Sequence, residues 1–316
     1  MSENIWVWVG FNAFVVIMLA LDLFVFHKKD HVIKIKEALA WTVFWITLAI
    51  LFNILIFAVE GPQKALEFTT GYLIEYSLSV DNLFLFLLIF TYFKVPHQYE
   101  HKVLFWGIIG AIVFRILFIL LGVALISKFD WIFYVFGAFL VFTGIKMAFH
   151  KGEEIHPENN PVVKLFQKFI PLVHHYEGGK FIWKKAGKNY ATPLLLTLVF
   201  IEMNDVIFAI DSIPAIFSIT LDPFIVYSSN IFAILGLRSL YFALSGLMEL
   251  FHYLHYGLAT ILAFIGVKML IHDFYHMPVI YALGFIVVVL SLSVIASILW
   301  SKKEKPNVAP KKLVDE

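Results

Sequence analysis

The sequence predicts an all-α polytopic membrane protein, and three observations carry that prediction. Of the 316 residues 61% are hydrophobic, with 34 Phe and a mean hydropathy of +0.85, whereas soluble domains run to about 45–50% apolar. Apolar runs of about the 20 residues that a membrane-spanning helix requires recur along the chain. Lys and Arg are segregated into alternate connecting segments, as they are when cytoplasmic loops collect the positive charge. The net charge is only +1, so bulk electrostatics give no reason to expect a nucleic acid partner. Without cysteine there can be no disulfide and no thiolate metal site within this chain.

Nine segments meet or approach the length of a span: 5–26, 39–59, 68–93, 103–126, 130–149, 193–219, 225–249, 255–272 and 278–300. The first lacks a basic start and a small-residue cleavage site, so it is expected to be a retained span rather than a signal peptide. With the N-terminus outside, 18 Lys fall in cytoplasmic segments and only Lys64 and Lys128 in outer loops. The remaining four basic residues, Arg115, Lys146, Arg238 and Lys268, lie within spans. This split predicts an N-terminus outside and a C-terminus in the cytoplasm. The spans make one transmembrane domain, residues 1–300, interrupted by a cytoplasmic loop at 151–192. In that loop PVVKLFQKFIPLV has the apolar spacing of an interfacial helix, and KFIWKKAGKNYATP suits a short hairpin turning at Ala186–Gly187. The tail, 301–316, reads as disordered, with its lysines near anionic lipid.

The chain also repeats itself. FTGIKMAFH at 142–150 matches FIGVKMLIH at 264–272. Lys146 and Lys268 are 122 residues apart, Arg115 and Arg238 are 123 apart, and Asp81 and Asp205 are 124 apart. Spans three to five (68–150) therefore recur as spans six to eight (193–272). An odd number of spans per copy gives the copies opposite orientations, the inverted-repeat arrangement of many secondary transporters. Retention of a duplication for packing alone is the competing reading, and it leaves the duplicated acids without a reason.

Apart from Asp130 and Glu249 at span ends, six carboxylates fall inside the spans: Asp22, Glu75, Asp81, Glu202, Asp205 and Asp211. Counting along the spans places Asp81 and Asp205 nearest the midplane. Glu202 and Asp205, three residues apart, share a helix face, whereas Asp211 points about 120° away from Asp205 on an ideal helix. Pro214 removes a backbone hydrogen bond and is expected to open the turn around Asp211 and Ser212. Carboxylate, amide (Asn82), hydroxyl (Ser212) and carbonyl oxygens are hard ligands that suit Mg, Ca or Mn. The acids outnumber the midplane cations Arg115 and Arg238, so bound cations, protons or both must neutralise the excess. That is the chemistry of cation/proton exchange. Simple charge pairing of Asp81 and Asp205 with the two arginines is the bland alternative. Asp22 could equally snorkel to the inner interface, and Asn82 could be an interhelical hydrogen bonder. Lys146 and Lys268, near span ends, are expected to anchor at the interface. His174 and His175 are read as solvated loop residues.

EYSLSVDNLFLF, FIEMNDVIFAIDSIPAIF, the GIKM and GVKM pair and ALDLFVFHKK resemble the TerC/Alx family of bacterial integral membrane proteins over about residues 5–300, most of all its Alx branch. The resemblance implies manganese export, with links to alkaline and tellurite stress. It also implies a set of membrane acids at Glu75, Asp81, Glu202, Asp205 and Asp211. The function expected is export of a divalent cation, foremost Mn2+ as transported substrate, from the cytoplasm across the bacterial inner membrane in exchange for protons. A Ca2+/H+ exchanger and a membrane-protein assembly or insertion factor are the alternatives. No nucleophile–base pair, phosphate-binding glycine loop or soluble catalytic domain is visible, so neither an enzyme nor an organic cofactor is expected.

Overall fold

Apolar residues occupy much of the outer surface as well as the core, and a set of polar and charged residues is buried within that core. Phe142 is 65% exposed and Leu117 58%, while Glu75, Arg115 and Asn230 are wholly buried. Lipid solvates the first group; the second must find partners inside. The computed structural model describes residues 4–24, 35–129, 131–149, 171–173, 175–185, 188–245 and 253–303. In chain order the helices are α1 (Ile5–Phe24), α2 (Ile35–Glu60), α3 (Pro62–Phe93), α4 (His97–Lys128) and α5 (Trp131–Phe149). The strands β1 (Ile182–Lys185) and β2 (Lys188–Ala191) follow. The remaining helices are α6 (Pro193–Phe217), α7 (Pro223–Leu235), α8 (Leu237–Ser245), α9 (Leu254–Leu270) and α10 (Val279–Lys303).

Six of these helices, α2 to α6 and α10, are long and apolar enough to cross a membrane, and α7 with α8 makes a seventh, broken span bent by 40°. The shorter apolar stretches Ile5–Leu21 and Leu254–Leu270 occupy the first and eighth expected segments. At 1.5 Å per residue, the 17 residues of α9 reach only about 25 Å. The seventh segment, expected as one helix, breaks at Gly236, where an added Cβ would stand 3.3 Å from the Trp45 side chain. Conversely, the expected opening at Pro214 does not occur. α6 runs unbroken from Pro193 to Phe217, with Pro214 in its last turn and buried. There the loss of one hydrogen bond is absorbed by packing on both sides.

Local chemistry sets the turns. Gly61, at φ 91°, permits the reversal between α2 and α3, and Pro62 opens α3 because its missing N–H would be unpaired there anyway. Asp222 caps α7, accepting from the amides of Phe224 and Ile225 at 3.0 and 3.4 Å, with Pro223 at the first helical position. β1 and β2 pair antiparallel, Ile182 with Ala191 through Lys185 with Lys188; the expected turn at 186–187 lies outside the described residues. This hairpin is tied to the bundle by Tyr176, whose hydroxyl donates to the Phe93 carbonyl at 2.7 Å, and by Lys102, whose ammonium donates to the Gly179 carbonyl at 2.6 Å. Of the expected interfacial helix at 161–173, residues 161–170 lie outside the described residues, as does the tail beyond Lys303; its end is not helical, Leu172 instead bridging to Ala191 of β2.

The closest helix pair is α5 with α9, the two helices that carry the GIKM and GVKM motifs. A Cβ built on Gly266 would stand 2.6 Å from the Gly137 carbonyl oxygen and 2.7 Å from the Val141 nitrogen. One built on Gly144 would stand 2.7 Å from the Ala259 carbonyl oxygen and the Ala263 nitrogen. The early part of each helix therefore meets the late part of the other, so the two run antiparallel. Gly266 and Ala259 each lie 122 residues after Gly144 and Gly137, so the contact is reciprocal between positions related by that spacing. Backbones approach this closely in membranes only where small residues line the seam. Packing is also crosswise elsewhere, α3 on α7 and α4 on α6.

Lys268 is corrected by the structure. It is 7% exposed, and its ammonium donates to the Ser218 carbonyl at 2.7 Å, at the end of α6. The buried C-terminal carbonyls of α6 draw the ammonium inward, so it is no interface anchor. Lys146, its counterpart, is exposed.

Candidate cation site

Four helices converge on one guanidinium. Arg115 of α4 is wholly buried and forms an ion pair with Glu75 of α3, also wholly buried. Its other contacts come from α6 and α7: Asp205 of α6 at 3.4 Å, Ser212 of α6 at 3.1 Å and Asn230 of α7 at 2.8 Å. One arginine thus joins an acid of α3 to an acid of α6. Burial of an ion pair is tolerated only when the remaining polar atoms are also satisfied, and here they are not all satisfied. Glu75 Oε2, Asp205 Oδ2 and the nearby-in-sequence Asn82 Oδ1 are buried without a hydrogen-bond partner among the described residues.

The other expected residues are placed differently. Arg238 is the second residue of α8, just past the Gly236 break; it is 3% exposed and lines a cavity of about 20 Å³ together with Asp205, Leu83, Gly107 and Ile201. Asp81 is half-buried on α3, with no polar partner among the described residues. The centre is therefore built on Glu75 and Asp205 rather than on Asp81 and Asp205. Glu202 lies against α4, its carboxylate over Gly110, with Oε2 unpartnered. Asp211 faces α5, accepting from the Thr143 hydroxyl at 3.3 Å. The side chain of Asp22, like His174, lies outside the described residues; His175 pairs with Glu177 at 2.8 Å. Among the described residues no group of three or more His, Asp or Glu has the geometry to hold a metal ion.

Residues 60–305, α3 to α10, match the profile of the integral membrane protein TerC family. The chain belongs to the TerC family. A TerC relative from Escherichia coli K12, Alx, named as a candidate membrane-bound redox modulator, is 49% identical over 298 residues, 91% of this chain and 92% of that protein. The membrane protein STKORF319 of Myxococcus xanthus is 48% identical over 295 residues, 93% of this chain and 92% of that protein. A membrane protein of Rickettsia bellii is 42% identical over 292 residues, 92% and 97%. No solved structure matches the chain.

Two members of this TerC centre escape a reading of the sequence alone. Asn230 sits in YSSNIFAIL, where one amide in an apolar span reads as an ordinary interhelical hydrogen bonder. The run of three polar residues, Ser228 to Asn230, is the signal, since all three are completely buried. Gly110 has no signal at all. Only the carboxylate lying in the space a Cβ would fill reveals its role.

Proposed function

We propose that the protein is a secondary transporter that moves a divalent cation out of the cytoplasm in exchange for protons, with Mn2+ as its first substrate and Ca2+ as the competitor to test against it. In this reading it sits in the plasma membrane with its N-terminus outside. The observation that carries the proposal is the buried Glu75–Arg115–Asp205 bridge between the two copies, with oxygens left over. Carboxylate and amide oxygens of Glu75, Asp205 and Asn82 are hard donors that fit Mn2+ or Ca2+. A cation seated between Glu75 and Asp205 has to displace the guanidinium, so arginine and substrate compete for the same oxygens. Asp81, Asp211 and Ser212 are further donors in the same helices.

The antiparallel, reciprocal contact of α5 with α9 supports an inverted repeat, and the broken span α7–α8 is a feature common in transporters of that architecture. Alx relatives are named for redox modulation. This chain has no cysteine, so a redox effect cannot run through its own thiols, and transport of a redox-active cation such as Mn2+ joins the two descriptions. The test is Mn2+ flux in proteoliposomes holding the purified chain, with Ca2+ as competitor. D205N and E75Q are each expected to lower flux by at least about tenfold, the effect of removing a charged ligand pair worth over 1.4 kcal/mol. Unaltered flux in both variants removes the proposal. Flux that Ca2+ abolishes and Mn2+ does not replaces the named substrate.

A further inference from the structure

The half-span α8 lies between the cation site and the end of the bundle that carries the β1–β2 hairpin. Its first residues, Leu237 and Arg238, line the small cavity that also reaches Asp205. The part of the cavity wall nearer the hairpin is Phe86 of α3 and Leu104 of α4, both buried. One helical turn further out stand Phe90, Glu100 and Tyr241, four residues from Phe86, Leu104 and Leu237 respectively. The Tyr241 hydroxyl donates to Glu100 Oε2 at 3.2 Å, and its ring meets that of Phe90 edge-on, with centroids 5.4 Å apart. Tyr241 and Glu100 are both buried, and His97 faces the other carboxylate oxygen at 2.9 Å.

Contacts among Leu, Ile and Phe hold a short helix weakly in a bilayer, because lipid solvates those side chains equally well. A buried carboxylate differs, since it costs free energy whenever it loses its donor. The bond to Tyr241 therefore fastens α8 to the start of α4, while the other end of α8 turns at the Gly236 break. A short helix bent at one end and fastened by a charge-assisted bond at the other has the form of a hinged gate. The opposite end of the bundle carries a matching fastening. Asp222 lies 122 residues after Glu100, the spacing that relates Lys146 to Lys268, and it pairs with Lys64 at 3.1 Å. Lys64 stands near the start of α3 and Phe90 near its end, about 39 Å apart at 1.5 Å per residue. Two acids related by the repeat spacing are thus bonded across the bundle, one at each end of the site. We propose that α8 is the gate at the hairpin end of the pathway, turning about Gly236 and latched shut by the Tyr241–Glu100 hydrogen bond. Opening swings Leu237 and Tyr241 away from α3 and α4 and joins the cavity at Asp205 to the cytoplasm, while the Lys64–Asp222 pair fastens the other end. This assignment rests on the transport reading above for what passes the gate, and it requires no change in the charge of any cation-binding residue.

The chain has no cysteine, so one introduced thiol reports the opening. L104C places it on the cavity wall, and I108C is a second reporter on the same wall. Each is reacted in detergent with a charged, water-soluble methanethiosulfonate, and the modified fraction is followed by mass. Y241F keeps the ring against Phe90 and removes only the hydroxyl. It is expected to speed labelling of L104C and I108C by about tenfold, which corresponds to about 1.4 kcal/mol for the lost bond to a carboxylate. E100L should speed labelling comparably, and Y241F/E100L no further, because both changes break the same bond. L140C, on a buried position of α5, should label at one slow rate in all of these backgrounds. Labelling of L104C and I108C that Y241F leaves unchanged overturns the gate. Equal acceleration at L140C overturns it too, since that marks a general loosening of the fold. The labelling uses no metal, so an absence of Mn2+ flux in the wild-type chain strikes the transport reading and is distinct from either result.

Discussion

Replacement of Gly266 by Ala tests the α5–α9 seam directly. The new Cβ would stand 2.6 Å from one backbone oxygen and 2.7 Å from one backbone nitrogen of α5, about 0.8 Å inside an ordinary contact of ~3.4 Å. Neither atom can swing aside as a side-chain tip can, so the two helices must separate along the length of the contact. Overpacking of this kind costs about 1–3 kcal/mol, against which the gain in helix propensity from Gly to Ala returns at most about 1 kcal/mol. Gly10 and Gly284, whose Cβ positions meet nothing within 4 Å, supply the control, since G10A and G284A retain only the propensity gain. Thermal unfolding of the purified chain in one detergent is the assay. At roughly 2–4 °C per kcal/mol for a large domain, G266A is expected to melt several degrees below G10A. By reciprocity G144A should fall by a similar amount. Equal melting temperatures for G266A and G10A would refute the packing argument, and a large loss in G266A with none in G144A would refute the reciprocity.

Three further outcomes are expected. R115M leaves two buried carboxylates without their cation and should destabilise by about 3–5 kcal/mol, whereas E75Q keeps an acceptor for Arg115 and should cost less. In the double variant the losses should be clearly less than additive in the same melting assay. D222A removes the cap of α7 and should cost about 1 kcal/mol, read as a fall in melting temperature, together with loss of the 3.1 Å ion pair to Lys64. Burial pushes the Tyr176 phenol up to about 12. Its hold on Phe93 is therefore fully present below the ordinary tyrosine value near 10 and is lost as pH rises from there through 12. Phenolate absorbance should show this late titration, and Y176F, lacking a bond worth about 0.5–1.5 kcal/mol, should speed tryptic cleavage at Lys184 and Lys185 at neutral pH.

Much of this architecture was legible in the residues because the bilayer enforces simple rules. Apolar length marks a helix, and a buried charge marks a site. The β1–β2 hairpin was equally plain, since its turn residues sit between two runs with strand character. The identity of the central acids was not, and the reason lies in Lys64 and Glu67. Their charges pair with each other at 3.0 Å, and Lys64 also pairs with Asp222, so α3 begins at Pro62 rather than at 68. That extension moves the helix midpoint to between residues 77 and 78, nearer to Glu75 than to Asp81. The break in span seven was missed for a different reason. Proline announces a lost hydrogen bond in the sequence, but Pro214 falls where α6 is already ending. Gly236 removes no bond and breaks the span only because α8 must turn to pack beside α2.

The arrangement around Arg115 makes one residue both a fastener and an obstacle. Any sliding of one copy past the other has to part its guanidinium from Glu75 on one side or from Asp205, Ser212 and Asn230 on the other. In the transport reading proposed above, the bundle rests clasped and unclasps when another positive charge takes the arginine's place at those oxygens.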